Sequence, residues 1–78
     1  MNAEMKNYLL DLIYLIQDKY NESFSSDEED EGERQFNNGL NFAYYDILDL
    51  IESQLKSFGY DVEELQPIAP NPGTKLDR

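Results

Sequence analysis

Phe36, Leu40, Tyr44, Ile47, Ile51, Leu55 and Phe58 recur at steps of three or four residues. That spacing keeps side chains on one stripe of an α-helix, because 3.6 residues make a turn. Alternation, which a strand requires, is broken at Ala43-Tyr44-Tyr45 and at Ile47-Leu48. The pattern predicts a long helix over about 30–58, with this stripe as its core face. Asn37-Asn38-Gly39 is the local signal against continuity, since Asn-Gly ordinarily marks a turn. The stripe keeps its phase across Gly39, so the helix is expected to run through, with Gly39 letting the other helix approach closely. At the far end, Lys56 in the last turn, Gly59, and the pair Leu55 and Tyr60 fit a Schellman motif.

An earlier helix is expected over 3–22. Met5, Leu9, Leu12, Ile13, Ile16 and Tyr20 form its main stripe, Glu4, Asp11, Asp18 and Glu22 lie opposite, and Asn2 is placed to cap it. Leu10 and Tyr14 on one flank, with Tyr8 and Leu15 on the other, make it apolar round most of its circumference. A helix covering one partner needs an apolar arc of only about 100°, so this one is expected to touch more than one neighbour.

Between the helices, six of the seven residues from Asp27 to Glu33 are acidic. Ser26 with Glu29 fits a capping box, whereas self-repulsion and Gly32 favour a loop. Disorder is expected near 24–28, with the helix starting between Asp27 and Glu33. After Gly59, Asp61 and Glu64 suggest a short helical turn over 61–65, closed by Pro67. Pro70, Pro72 and Gly73 then exclude regular structure from the tail, which Ile68 and Leu76 either pin to the helices or leave free.

The expected fold is all-α: an antiparallel two-helix hairpin domain over 1–66 and an irregular tail over 67–78. Alone, such a hairpin would leave Tyr8, Leu10, Tyr14, Leu15, Phe42, Tyr45 and Leu48 largely wet. Pairing two hairpins into a dimeric four-helix bundle would bury them. Tyr8, Leu10, Tyr14, Leu15 and Leu48 are therefore the expected dimer interface.

Charge and composition narrow the chemistry. Seventeen acidic residues against 6 basic ones give a net charge of −11, so phosphate backbones and anionic membranes should repel the chain. No apolar run approaches the roughly 20 residues needed to span a bilayer, and no basic start precedes one. A cytoplasmic protein is expected. Cysteine and histidine are absent, which removes disulfides and makes a zinc or copper site unexpected. With acid–base groups confined mainly to carboxylates and tyrosines on solvated faces, neither catalysis nor a cofactor is expected.

Reading Asp27 as the first position of a calcium loop places Glu29, Glu31 and Gly32 suitably. The eighth position is then Arg34 and the twelfth, which should be a bidentate Glu, is Asn38; no metal is expected there. The tyrosines carry more information, since an apolar ring with a polar tip is common where proteins touch. Phe42, Tyr45, Asp46, Asp49 and Glu52 are expected to share the outward side of the second helix, as aromatic anchors set among negative charge.

The run Phe36-x-x-Gly39-x-x-Phe42-Ala43-Tyr44-Tyr45-Asp46-Ile47-Leu48-x-Leu50-Ile51-x-x-Gln54-x-x-x-Phe58-Gly59 resembles small uncharacterised helical proteins of Gram-positive bacteria and their phages. The resemblance implies a helical Gly39 and a mobile-element origin. It implies no activity. Two functions are expected to compete: a non-catalytic acidic module that binds a basic protein, and a nucleic-acid mimic that inhibits a DNA-binding protein.

Overall fold

The computed structural model describes residues 2–24, 29–61 and 67–77. It contains two helices, α1 (Ala3–Glu22) and α2 (Glu31–Ser57), packed against each other, with no strand among the described residues. The Asn2 carboxamide caps α1, its Oδ1 accepting the Met5 N–H at 2.7 Å. Asp30 caps α2 in the same way, accepting the Glu33 N–H at 2.7 Å. Glu31 and Glu33 then place negative charge against the positive end of the helix dipole. Part of the acidic run is thus the start of the helix, which begins within the expected window. The Ser26 cap and the turn over 61–65 fall outside the described residues or depend on residues that do.

The C-terminus of α2 is a Schellman motif. Gly59 adopts φ +84°, its N–H donates to the Lys56 carbonyl at 3.0 Å, and the Tyr60 N–H donates to the Leu55 carbonyl at 3.0 Å. Gly39 is helical, but close approach is not the reason for it. A Cβ built there would meet nothing within 4 Å, because the residue faces open space.

A polar clasp ties α2 back to the end of α1. Asn41 Nδ2 donates to Ser23 Oγ at 3.0 Å and to the Tyr20 carbonyl at 3.4 Å, and Ser23 Oγ donates to that same carbonyl at 2.6 Å. From this clasp the helices run antiparallel, bringing Leu48 into one buried cluster with Ile13, Tyr20 and Ile68.

Ile68 reveals the third packed element, the tail. Residues 67–77 are irregular and lie against the hairpin, held by side chains that satisfy its main chain. Gln17 Nε2 donates to the carbonyls of Pro67 at 3.3 Å and Ile68 at 3.1 Å. Tyr20 donates its hydroxyl to the Thr74 carbonyl at 2.7 Å. Asn21 clamps Leu76 twice, accepting its N–H at 2.9 Å and donating to its carbonyl at 3.2 Å. From α2, Glu52 Oε2 accepts the Ala69 N–H at 3.0 Å. Pro72 and Gly73, the latter at φ +78°, form a turn closed by the Thr74 N–H on the Asn71 carbonyl. Phe24 packs edge-on against Tyr20 at 5.2 Å between centroids; the rest of the segment expected to be disordered, 25–28, lies outside the described residues.

The tail redraws the expected core. On α1, Ile13 and Tyr20 are buried as expected, but Gln17 is buried with them and Met5 is exposed. On α2, Tyr44, Ile51 and Leu55 of the expected stripe pack against the core, but Leu48 is its fully buried member, and Phe36, Ile47 and Phe58 are exposed. The reason is geometric. A helix wedged between two neighbours buries the arc midway between them. Leu48 lies between the Tyr44, Ile51 and Leu55 arc and the Tyr45 and Glu52 arc, where Glu52 meets the tail. Leu48 is consequently core within one chain and not a dimer contact, and Leu10 packs against the same core.

Candidate interaction surfaces

Three surfaces remain after the core is assigned. The first is the groove holding the tail, where Gln17, Tyr20, Asn21 and Glu52 each engage a main-chain group. Burial raises the pKa of the Tyr20 hydroxyl above its ordinary value. Nearby Tyr45 adds to the rise. Glu52 also accepts an ion pair from Lys56 at 3.2 Å. This expected partner-binding residue is therefore engaged inside the chain.

The second surface is the outward side of α2. Phe42 is 71% exposed, and Asp46 and Asp49 are exposed near it. Tyr45 is half-buried and packs against the core, so the expected five-residue patch contracts to Phe42, Asp46 and Asp49 with the edge of Tyr45. Helical spacing places Phe42, Asp46 and Asp49 on one side of the helix. The acidic ridge Glu4, Asp11, Asp18 and Glu22 is likewise exposed on α1.

The third surface was less apparent in the sequence. Met5, Tyr8 and Leu15 of α1 are exposed, as are Phe36, Ala43, Ile47, Leu50 and Phe58 of α2. On each helix these positions share one side by helical phase, the side turned away from the tail-binding residues Gln17, Asn21 and Glu52. They are exposed apolar residues interleaved with carboxylates, since Glu4 and Asp11 flank Tyr8, Asp11 and Asp18 flank Leu15, and Asp46 precedes Leu50 by one turn. Tyr8 and Leu15 were expected at an interface; Phe36 and Phe58 were expected in the core. Tyr14 lies on the other flank of α1 from Tyr8 and Leu15, 40% exposed. The signal that separates the two flanks is tail docking, which no helical periodicity encodes.

At the clasp end, Lys19, Glu22, Ser23, Asn37, Leu40 and Tyr44 line an open recess of about 180 Å³. An open recess excludes water poorly, which limits its ability to tune an acid or base. Among the described residues no three carboxylates converge as a metal cage would, and Asp30 is engaged in capping. No described helix is long and apolar enough to cross a membrane. No protein-family model, curated protein or solved structure matches the chain.

Proposed function

We propose that this chain is a non-catalytic interaction module which pairs into a dimeric four-helix bundle and offers the acidic outer side of α2 to a basic protein. The observation that carries the reading is Phe42, a large aromatic ring 71% exposed on a helix side where Asp46 and Asp49 are also exposed. An aromatic anchor ringed by charge fits the anatomy of a contact whose centre is desolvated and whose rim steers the partner. The −11 net charge attracts basic partners over distances set by ionic strength.

The alternative, nucleic-acid mimicry by a phage-borne or mobile-element inhibitor, draws on the exposed acidic ridge of α1. Its seven-residue steps from Glu4 to Asp11 to Asp18 correspond to about 10 Å each. Phosphates follow one another much more densely along a duplex, at about 3.4 Å of axis per strand. The ridge is too sparse to favour this reading.

Affinity capture from the native cell tests both. The wild-type chain is expected to retain a basic protein that the Phe42→Ala, Asp46→Asn double variant loses, and excess duplex DNA should leave that protein bound. Retention unchanged by the double variant would refute the α2 surface. Release by duplex DNA would favour mimicry.

A further inference from the structure

Asn38-Gly39 is the one Asn-Gly step in the sequence, and such a step carries chemistry of its own. The Gly39 backbone nitrogen, unhindered by a Cβ, can attack the Asn38 side-chain carbonyl carbon. A C–N bond forms, the carboxamide nitrogen leaves as ammonia, and a five-membered succinimide results. Water then opens either ring carbonyl. The product at position 38 is aspartate or, with the main chain rerouted through the side chain, isoaspartate. One water is consumed and one ammonia released.

The helix holds this reaction off. Ring closure needs the Asn38 Cβ, Cα and carbonyl carbon nearly coplanar with the Gly39 nitrogen, and a helical ψ of about −42° keeps them out of plane. Within α2 the Gly39 N–H also donates to the Gln35 carbonyl, one turn back. Attack therefore requires the turns before Gly39 to open.

Those turns are weakly anchored. Eight of the nine residues from Glu31 to Gly39 are exposed, Phe36 among them at 68%. The α2 side chains that pack against the core begin only at Tyr44. Gly32 and Gly39 both lower helix propensity, and a helix end that buries little opens at far lower cost than the whole fold. The Asp30 cap and the Asn37 bond to Glu29 at 2.8 Å hold this end closed. Opening has a built-in stop just past the reactive step, where Asn41 is clasped to Ser23 and Tyr20.

We propose that Asn38 is a self-modification site, converted to aspartate and isoaspartate when the N-terminal turns of α2 unzip as far as Gly39. The product carries one more negative charge than the parent chain. Isoaspartate adds a backbone carbon that the helical hydrogen-bond ladder does not accommodate, so α2 then begins after position 38 and Phe36 leaves it. Asparagine is not regenerated, and the step marks chains by age. The inference is independent of the interaction reading.

The test incubates the full chain at neutral pH and locates deamidation by tandem mass spectrometry, with far-UV circular dichroism alongside. A free peptide of residues 34–43, too short to hold a helix in water, gives the rate of the open state. The full chain should convert at Asn38 ahead of every other asparagine, more slowly than the peptide by up to about a hundredfold, as a cheap local opening allows. Asp30→Ala should speed conversion about fivefold by removing the cap, and Gly32→Ala should slow it about fivefold by raising helix propensity. Ile68→Ala should leave the rate unchanged, because the tail lies beyond the Asn41 stop; a route through global unfolding would raise it about a hundredfold. Conversion as fast as the peptide, slower than it by more than about a hundredfold, or led by another asparagine overturns the inference. So does a rate that ignores both Asp30→Ala and Gly32→Ala, or one that follows Ile68→Ala while the helical signal is intact.

Discussion

Replacing Ile68 by alanine tests whether the tail is a structural element of the hairpin. Ile68 is fully buried in a cluster with Ile13, Tyr20 and Leu48. Truncating a buried isoleucine to alanine costs about 2–5 kcal/mol, through lost transfer energy and the cavity left behind. The tail is a surface segment and can settle partly into the void, so a cost of about 3 kcal/mol is expected. A chain of this length has roughly 4–12 kcal/mol of stability in total, making the loss a large fraction. Urea titration followed by far-UV circular dichroism, at one fixed protein concentration, should show a lower midpoint with little change in slope. Thermal unfolding should begin roughly 15 °C earlier. Ile68→Val, which keeps most of the volume, should cost only about 1 kcal/mol. A midpoint for Ile68→Ala within about 0.5 kcal/mol of wild type, which is the range of ordinary surface substitutions, would refute tail docking.

Gly39→Ala should raise stability by about 0.5–1 kcal/mol in the same assay, because the position is helical and a Cβ there meets open space. Gly59→Ala should lower it by about 1 kcal/mol, since φ is +84° at the C′ position of the Schellman turn. Asn41→Ala should cost about 1–2 kcal/mol by breaking the clasp on Ser23 and Tyr20. Alkaline titration tests Tyr20: its folded-state pKa lies above the unfolded value of 10.0, so the native state holds the proton more tightly. That contribution is complete below the unfolded pKa and is lost as pH rises through the folded one. Phenolate absorbance should therefore include a step above the ordinary tyrosine range, and Tyr20→Phe should abolish it.

Both helices, their antiparallel arrangement and the Schellman turn were legible because local chemistry encodes them. Asn2 beside an acidic first turn, Gly59 followed by Tyr60, and a 3.6-residue apolar rhythm each act over a few neighbouring positions. The burial of Leu48 at the centre of the core was not legible, because it depends on the tail folding back over α2, as in the Glu52 contact with Ala69 17 residues further on. Gln17 and Asn21 read as ordinary polar positions until the main chain of residues 67–76 is brought beside them. Periodicity showed that α1 was too apolar for one neighbour, but not that the second neighbour was the proline-containing tail of the same chain. The candidate site inherited this error: Leu48 and Leu10 were assigned outward by elimination, and Phe36 and Phe58 inward.

A hairpin without disulfides has two ways to cover apolar helix surface, and this chain treats its two sides differently. On one side it folds back an irregular segment, which requires a polar side chain wherever a main-chain group would otherwise be stranded. Gln17, Tyr20, Asn21 and Glu52 meet that requirement. Replacing any of them by an apolar residue should loosen the tail more than the loss of area implies, because a buried carbonyl or N–H is left unpaired. On the other side the exposed residues are chiefly apolar, and a helical layer needs little else. Acidic residues are interleaved with these, with Asp11 and Asp18 one turn either side of Leu15 and Asp46 one turn before Leu50.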